Sequence, residues 1–408
     1  YFLKNLVPHL LDLAKNYEFD FIKIIMMMEE NGIKLDTHAL EILMKKFESE
    51  IKILSEEIYA LCEDRFNLNS PKQVGDILFE KLKLPSGKKG KTGYSTDEKV
   101  LNELLDKHPV ISKILDYREL AKLYSTYCEP LLKLALKDEN SRIYSSFLQT
   151  GTATGRLSSK DPNLQNIPAH GQYAKDYKSC FIAKEGFSFI SLDYSQIELR
   201  MLAHFSEDEK LLNAFKNDED IHARTAIMIF GESNYETRSI AKSINFGLIY
   251  GMGYKTLSKN LKIEANLAKT YIEKYFENFT SIKSYFEKVK NEAKANGFIS
   301  TLSGRKRYFD FENAKPMQVA MYERESINSI LQGSAADIIK FAMLEIAKIL
   351  NQDKRLILQI HDELIFEVKD ELCENFVKKT SDIMENIVKL KVKLKTSSSI
   401  AKKWGDLK

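Results

Sequence analysis

The chain has 408 residues, of which 44% are apolar and 29% are charged, and its formal net charge at pH 7 is +3. This length is too great for one compact unit, so about two or three subdomains are expected. No continuous run of about 18 apolar residues occurs and no basic leader precedes an apolar segment, so we predict neither a membrane span nor a signal peptide. The four cysteines are widely separated and form no C-x-x-C pair, which favours free thiols in a cytoplasm over a zinc site.

Two segments in the first third of the chain have apolar residues at helical spacing. Residues 36–62 and 97–137 place Lys and Glu between these apolar residues, which predicts two long amphipathic helices. A Gly-, Ser- and Lys-rich stretch at 85–96 separates them, as at the tip of a helical hairpin. Five lysines and no acid lie within 81–91, a pattern that fits either a solvated loop or a contact with a phosphate backbone.

The central and C-terminal regions combine short strands with helices. Residues 141–193 are punctuated by Gly and Pro, and the run 187–192 predicts a strand that ends at Asp193. Helical periodicity returns from Gln196 to about Ala295. Two later apolar runs, 355–360 and 364–368, flank an acidic bend and predict a β-hairpin.

Asp193 and Asp362 both stand where a predicted strand ends. A single Asp after a strand is usually a helix cap or a turn residue. Two such acids on separate strands of one sheet can instead converge on a pair of divalent cations. Phosphoryl transfer uses this arrangement, because carboxylate-bound metals activate the attacking hydroxyl and neutralise the leaving pyrophosphate.

A helix is predicted to carry Arg238, Lys242, Phe246 and Tyr250 along one face. Steps of four residues keep side chains together, because each step turns only about 40° away from the last. The face then offers two cations followed by two aromatic rings. That order suits a nucleoside triphosphate, although a surface helix with both rings packed inward gives the same spacing.

Three segments that contain these residues resemble the motifs of one enzyme family. Asp193-Tyr-Ser-Gln-Ile-Glu-Leu-Arg200 resembles motif A of the bacterial DNA polymerase I family (family A). Arg238-x-x-x-Lys242-x-x-x-Phe246-x-x-x-Tyr250-Gly251 resembles its motif B, and Gln359-Ile-His-Asp-Glu363 resembles its motif C. Further matches follow in the family's order at 154–159, 161–168, 220–222 and 323–333, so the resemblance covers about residues 20–408.

The resemblance implies an α+β fold with right-hand architecture, in which the palm is an antiparallel sheet and the fingers and thumb are helical. Its parts would be a connector at 1–35, a thumb at 36–140, a palm at 141–204 and 316–408, and fingers at 205–315. The activity implied is DNA-templated extension of a primer 3′-OH with dNTPs, releasing pyrophosphate. Only a short segment precedes the polymerase core and it holds no Asp-x-Glu strand, so no proofreading exonuclease is expected in this chain.

The resemblance also implies a role for each matching residue. Asp193, Asp362 and the backbone carbonyl of Tyr194 would bind two Mg²⁺ ions, for which Mn²⁺ can substitute, and Lys242 would protonate the departing pyrophosphate. The residues implied to contact the incoming nucleotide are Arg238, Lys242, Phe246, Tyr250, His222, Glu198 and Gln196. Those implied to contact DNA are Arg156, Asn163, Gln165, Arg324, Asn328, Gln332 and His361, together with Lys88, Lys89 and Lys91 of the lysine-rich stretch. Among these, the residues implied to contact the minor groove at the primer end are Arg156, Asn163, Gln165, Asn328 and Gln332. Every correct base pair presents hydrogen-bond acceptors at similar positions in that groove, so donors there can test pairing geometry without reading sequence.

The partners implied are primer–template DNA and dNTPs, with the protein acting as a monomer in the bacterial cytoplasm, at the nucleoid and away from membranes. The sequence departs from the family at Ser239, where a second Arg is usual. The family also carries a cluster of basic residues after the Asn-Ile-Pro segment, which ends at residue 168 here. In this sequence only His170, Lys175 and Lys178 remain of that cluster.

Two other functions share part of this pattern. A single-subunit RNA polymerase has similar Asp, Arg, Lys and Tyr residues, but the resemblance assigns Glu198 to excluding a 2′-hydroxyl, which favours DNA synthesis. A catalytically silent DNA-binding scaffold would have no need to keep Asp193, Asp362 and Lys242 together. Metal-dependent primer extension distinguishes such a scaffold from a polymerase.

Overall fold

The computed structural model describes residues 8–85, 90, 93–168 and 171–407, without the side chain of His9. The α-helices in these ranges are α1 (Pro8–Leu13), α2 (Phe19–Asn31), α3 (Thr37–Cys62), α4 (Pro71–Gly75), α5 (Glu98–Asn102), α6 (Val110–Lys122), α7 (Glu129–Ala135), α8 (Ala174–Lys178), α9 (Ile197–Ser206), α10 (Glu209–Lys216), α11 (Ile221–Phe230), α12 (Tyr235–Ile249), α13 (Tyr254–Leu261), α14 (Ala265–Asn278), α15 (Thr280–Asn296), α16 (Pro316–Ala347) and α17 (Cys373–Asn386). Segments of π-helix lie at Ala14–Glu18, Asp76–Lys81 and Leu123–Cys128.

The strands are short except in one sheet. They are β1 (Ile33–Lys34), β2 (Arg142–Ile143), β3 (Ser146–Leu148), β4 (Ser158–Lys160), β5 (Phe187–Tyr194), β6 (Phe298–Ser300), β7 (Lys306–Tyr308), β8 (Lys354–Ile360), β9 (Glu363–Lys369) and β10 (Thr396–Ala401). Antiparallel pairs join β1 to β2, β3 to β4 and β6 to β7. The α+β class expected from the sequence is therefore confirmed. No helix in the described part of the chain is long and apolar enough to cross a membrane.

The first predicted long helix is confirmed as α3. Asp36 caps its start by accepting a hydrogen bond of 2.9 Å from Ala39 N, which satisfies a donor that has no partner inside the helix. The second prediction, one helix over 97–137, is wrong. The chain forms α5, turns, and starts α6 after Pro109, because proline restricts the preceding residue and has no N–H for a helical hydrogen bond.

The region between α3 and α6 has a hydrophobic core of its own. This outer core consists of Ile58, Cys62, Leu68, Val74, Leu78, Phe79, Leu101, Leu104, Val110, Ile111, Ile114 and Tyr117. Most of the remaining buried apolar side chains, including those in the first half of α3 and at the end of α6, belong to one larger core. The predicted hairpin tip at 85–96 is therefore only part of the longer segment that connects α3 to α6. Residues 86–89, 91 and 92 of this tip lie outside the described residues.

The four-stranded sheet has the order β10-β5-β9-β8, and all of its neighbours are antiparallel. The predicted hairpin is confirmed as β8 and β9, with Asp362 in its turn. The predicted strand at 187–192 extends two residues further, so Asp193 lies within β5 and stands opposite Glu363 of β9. The register therefore brings the acidic ends of two strands together.

The helical periodicity predicted from 196 to 295 is confirmed by α9 to α15. The 32-residue helix α16 follows and is buried over most of its second half. At Gly333 of α16, an added Cβ would lie only 2.5 Å from the Thr301 side chain and 3.1 Å from the Thr154 carbonyl oxygen. The absence of a side chain thus lets the 154–159 segment approach the helix closely.

Candidate active site

Asp193, Asp362 and Glu363 meet at one end of the sheet and line a cavity of about 260 Å³. The Tyr194 N–H donates to the Asp362 carbonyl oxygen at 3.2 Å, which ties the hairpin turn to β5. Burial raises the pKa of Asp193 to about 7, and the charges of Asp362 and Glu363 add to that effect. Burial also raises the pKa of Asp362 and of Glu363. A cation would relieve the cost of ionising these grouped acids.

Carboxylate and carbonyl oxygens are the donors that Mg²⁺ prefers, so the predicted set of Asp193, Asp362 and the Tyr194 carbonyl fits such an ion chemically. Among the described residues there is no group of three or more His, Cys, Asp or Glu side chains suited to a metal. The predicted ligand set does not depend on three such side chains, because it consists of two carboxylates and one backbone carbonyl oxygen. Glu363 accepts a hydrogen bond from Ser191 and is held beside the pair.

Lys178 is a cation in this cavity that the sequence identified only as part of a reduced basic cluster. Its Nζ lies 5.3 Å from the centre of the Trp404 ring. Burial lowers the pKa of Lys178, and Glu363 opposes that shift. Lys175 instead faces Asp406, with 3.5 Å between the charged atoms, and His170 lies outside the described residues.

Arg156 joins the acidic cavity to Glu198. Its Nη2 lies 2.6 Å from Glu198 Oε1 and 3.3 Å from Asp362 Oδ1. The resemblance implied that Arg156 contacts DNA, whereas in the structure its guanidinium bridges these two acids. A DNA contact by Arg156 therefore remains a prediction that would require the guanidinium to leave at least one of these acids.

Glu198 lies in the first turn of α9 and is only 3% exposed. Burial raises its pKa, while the charge of Arg156 acts in the opposite direction. Its Oε2 is buried and makes no hydrogen bond within the described residues. The Tyr250 hydroxyl is close enough that each group shifts the pKa of the other, and the pKa of Tyr250 is raised by burial and by Glu198.

The predicted nucleotide helix is α12, which begins at a capping box formed by Asn234 and Thr237. Arg238 and Lys242 are exposed, Phe246 is half-buried, and Tyr250 follows the last turn with 45% of its surface exposed. The opposite face of α12 packs into the core. The alternative in which both rings pack inward is therefore wrong for Tyr250.

Gly251 sets the end of this helix. It has a φ of +70°, a left-handed conformation that residues with a Cβ rarely adopt, and an added Cβ would lie 2.6 Å from Arg324 Cβ. The glycine thereby lets the end of α12 rest against α16.

Asp220 connects α12 to the start of α11. Its carboxylate accepts hydrogen bonds from His222 N at 2.9 Å, from Ala223 N at 3.1 Å and from Arg238 Nε at 2.7 Å. Burial alone would raise the pKa of Asp220, but these hydrogen bonds lower it overall. Asp220 thereby anchors the Arg238 guanidinium through Nε and ties α12 to the start of α11.

His222 is buried, and its ring lies 5.5 Å from the Phe246 ring. Burial lowers the pKa of His222 to about 4; Asp220 acts to raise it, and Arg238 and Lys242 act to lower it further. Its Nε2 lies 3.4 Å from Gln196 Nε2, in the turn that links β5 to α9. The structure therefore brings Gln196, His222, Arg238 and Phe246 into one region, as the sequence predicted.

Of the residues predicted to contact DNA, some lie on α16 and others lie near the acidic cavity. Arg324, Asn328 and Gln332 follow one another at intervals of four on the face of α16 that is not buried, and Asn328 Oδ1 has no hydrogen-bonding partner among the described residues. Asn163 Oδ1 caps the 3-10 helix Leu164–Asn166. Lys88, Lys89 and Lys91 lie outside the described residues.

Gln165 and His361 lie beside the acidic cavity. The Gln165 amide donates to the Gln359 carbonyl oxygen at 2.9 Å, so Gln359 holds a side chain that was predicted to face DNA. His361 adopts a φ of 52° in the hairpin turn. No role was predicted for Gln359, although a buried polar residue in the otherwise apolar run of β8 was a signal for one.

A model of DNA polymerase family A matches residues 37–406. The chain belongs to that family, as its three motifs indicated.

Two relatives illustrate the similarity. DNA polymerase I of Helicobacter pylori (strain ATCC 700392 / 26695) is 47% identical over 414 residues, which cover 100% of this chain and 46% of that protein. DNA polymerase I of Bacillus subtilis (strain 168) is 42% identical over 407 residues, which cover 98% of this chain and 46% of that protein. The chain thus spans about half the length of the curated relatives it matches.

A solved structure is similar over nearly the whole chain. The POL domain of Pol1 from M. smegmatis, in complex with DNA primer-template and dNTP, matches with a TM-score of 0.92 and 35% sequence identity. The match covers 97% of this chain and 71% of the other.

Proposed function

We propose that the chain is a DNA-templated DNA polymerase that adds dNTPs to a primer 3′-OH and releases pyrophosphate. The observation that carries the proposal is the group formed by Asp193, Asp362 and Glu363 at one end of the sheet, with raised pKa values. Arg156 and Glu198 connect that group to the end of α12. Family membership and the similar polymerase domain solved with primer-template DNA and dNTP support the same conclusion.

The cofactor proposed is a pair of Mg²⁺ ions, or Mn²⁺ in their place, bound by Asp193, Asp362 and the Tyr194 carbonyl. When bound, such ions activate the primer hydroxyl and neutralise the charge of the leaving pyrophosphate. Glu363, anchored by Ser191, remains beside these ligands and adds negative charge without being a ligand itself.

The side chains of α12 and its neighbours would bind the nucleotide. Arg238, oriented by Asp220, and Lys242 would neutralise the triphosphate, and Lys242 would donate a proton to the departing pyrophosphate. His222 and Gln196 would bind phosphate oxygens. Phe246 would pack against the sugar, and Tyr250 would stack near the template base.

Glu198 would select the sugar. It is buried beside Tyr250, so a 2′-hydroxyl would need to displace a carboxylate whose Oε1 is bonded to Arg156. The cost of leaving a buried acid poorly paired is about 1–3 kcal/mol for each lost contact. Ribonucleotides would therefore be excluded more strongly than deoxyribonucleotides.

The proposed division of the chain is a connector at 1–35, a thumb at 36–140, a palm at 141–204 and 316–408, and fingers at 205–315. The outer core around α4 to α6 supports a thumb that extends from the rest of the chain. Primer–template DNA would contact Arg156, Asn163, Gln165, His361 and the open face of α16, while Lys88, Lys89 and Lys91 would meet duplex phosphates. The protein would act as a monomer at the bacterial nucleoid.

Extension of a labelled primer on a DNA template tests the activity. The purified chain should extend the primer with Mg²⁺ and dNTPs, should stop when EDTA is added, and should use ribonucleotides poorly. Preferential use of ribonucleotides would indicate an RNA polymerase. DNA binding without metal-dependent extension would indicate a scaffold, and removal of a mismatched primer end would contradict the predicted absence of proofreading.

A further inference from the structure

His222 has a buried neighbour that its proposed role does not use. Asn245 lies on the core-facing side of α12 and is 1% exposed. Its Nδ2 is 3.1 Å from His222 Nδ1 and 3.1 Å from Thr225 Oγ1. A primary amide nitrogen has two hydrogens, so Asn245 can donate to both atoms at once.

The hydroxyl of Thr225 determines which way the Asn245 amide faces. Thr225 Oγ1 donates to the Ile221 carbonyl oxygen at 2.8 Å, which is closer than Asn245 Oδ1 at 3.4 Å. Because its one proton is used in this way, Thr225 Oγ1 is left as an acceptor for Asn245. A flipped amide would place two acceptor oxygens 3.1 Å apart in a buried site, which is unfavourable.

This orientation determines the tautomer of the histidine. A donor opposite Nδ1 requires that nitrogen to carry a lone pair, so the proton of the neutral ring lies on Nε2. With the proton on Nε2, the amide nitrogen of Gln196, 3.4 Å away, cannot donate to that ring nitrogen. Nε2–H is then available, beside Arg238 and Lys242, to donate to an anionic oxygen.

We propose that Asn245 is a positioning residue that holds neutral His222 as its Nε2–H tautomer, so that the ring donates a hydrogen bond to a phosphate oxygen of the incoming nucleotide. The phosphate in this statement rests on the proposed function, whereas the tautomer rests on the contacts of Asn245 alone. The side chain of Asn245 itself, behind the ring, does not touch the nucleotide.

The surroundings of His222 are consistent with a neutral ring. The charged groups that face it are Asp220 at the start of its own helix and Arg238 and Lys242 from α12, while Gln196 from the β5–α9 turn is neutral. Burial and the two cations together outweigh Asp220 and lower the pKa of the ring to about 4. At neutral pH the position of one proton therefore decides whether Nε2 donates or accepts.

Substitution of Asn245 separates the tautomer from simple packing. Asn245→Asp keeps the shape but replaces the donor with an acceptor, which should draw the proton to Nδ1 or add a second proton to the ring. Asn245→Ala removes the donor and leaves the tautomer unselected. Ser243→Ala is the matched control, because Ser243 lies on the same helix but donates only to the Ser239 carbonyl oxygen.

The first experiment is ¹⁵N NMR of the full chain with labelled histidines at pH 7.5, without nucleotide. The chain has seven histidines, and the signals of His222 are assigned as those lost in His222→Gln. We expect a protonated Nε2 and an unprotonated Nδ1 in the wild-type chain, a proton on Nδ1 in Asn245→Asp, and no change in Ser243→Ala. A protonated Nδ1 in the wild-type chain, or an unchanged pattern in Asn245→Asp, would overturn the proposal, and the wild-type result stands even if a variant fails to fold.

The second experiment measures dNTP binding by single-turnover primer extension. We expect Asn245→Asp and Asn245→Ala to raise the dNTP Kd about tenfold, the effect of losing about 1.4 kcal/mol, with unchanged DNA affinity. Asn245→Ala should have no further effect in a His222→Gln background, whereas independent effects there would overturn the proposal. If the wild-type chain shows the Nε2–H tautomer but no extension, the proposed polymerase function fails while the tautomer assignment remains.

Discussion

Arg156 Nη2 lies 2.6 Å from Glu198 Oε1 and holds the carboxylate predicted to select the sugar. The same nitrogen lies 3.3 Å from Asp362 Oδ1. One cation therefore partly neutralises two acids with different proposed tasks. A metal ion at Asp362 and a primer end beside Arg156 would each weaken this bridge, so their binding is expected to be coupled.

The acids at the end of the sheet are predicted to be essential for chemistry. Asp193→Ala or Asp362→Ala should abolish primer extension while DNA binding stays largely intact, because phosphate contacts elsewhere provide most of the affinity. Turnover and DNA affinity are measured on the same preparations. Asp353→Ala, at the opposite end of the β8–β9 hairpin, is the control, and a tenth of wild-type turnover in either active-site variant would contradict the assignment.

The raised pKa of Asp193 predicts how its replacement changes stability with pH. Its usual pKa is 3.8, and in the folded chain it is about 7. Between these values the folded chain holds a proton that the unfolded chain has lost, so stability falls as pH rises through this window. Asp193→Asn does not titrate, and in EDTA it should be more stable than the wild-type chain by about 1–3 kcal/mol at pH 8, since one pKa unit is worth about 1.4 kcal/mol.

Urea unfolding in EDTA at pH 5 and pH 8 checks this prediction. The advantage of Asp193→Asn should be smaller at pH 5, and Mg²⁺ should stabilise the wild-type chain more than the variant. Asp218→Asn is the control, because the hydrogen bond from Lys395 lowers the pKa of Asp218 and its loss should not stabilise the chain. An equal advantage at both pH values would show that ionisation of Asp193 is not its cause.

Lys242 is predicted to act on the triphosphate and on the departing pyrophosphate. Lys242→Ala should both weaken dNTP binding and slow the chemical step. Cations in comparable phosphoryl-transfer reactions raise the rate by roughly 10³–10⁵-fold, which is the upper limit expected for the loss of rate here. Rapid-quench measurement of one turnover separates the two effects. Lys269→Ala, in an exposed ion pair with Glu273 on α14, should match the wild-type chain; an unchanged rate in Lys242→Ala would remove that residue from the site.

Glu198 is predicted to exclude ribonucleotides by its bulk and charge. Glu198→Ala should raise ribonucleotide incorporation on the order of 10²-fold, because each 1.4 kcal/mol of lost discrimination is worth about tenfold. Deoxyribonucleotide incorporation should change much less. Tyr250→Phe, which removes only the hydroxyl beside Glu198, should have a smaller effect in the same direction. An unaltered deoxy-to-ribo ratio in Glu198→Ala would assign sugar selection to other residues.

The parts of the fold that the sequence predicts are those in which local periodicity reports burial. The strand before Asp193, the β8–β9 hairpin and α3 all have apolar patterns that their own segments determine. The break between α5 and α6 was missed because apolar spacing continues across Pro109. Periodicity records which face is buried, but it does not record whether the backbone hydrogen bonds are continuous.

The residues that gather at the site were predictable from motifs, but their side-chain contacts were not. The bridge from Arg156 to Asp362 joins residues 206 positions apart. Asn245 contacts His222 across two helices, and Gln165 contacts Gln359 from another segment. Such contacts depend on tertiary packing, so no short window of the sequence contains both partners.

The separate hydrophobic core between α3 and α6 has a consequence for how the chain opens. The buried residues of that core form a cluster separate from the larger core, and Ile51 and Leu54 pack against both. The outer core is therefore expected to unfold while the sheet remains intact. Its backbone amides should exchange hydrogen for deuterium through this partial opening, at a lower free energy than the amides of β5 and β9. Duplex DNA held against the unit would slow that exchange without protecting the sheet further.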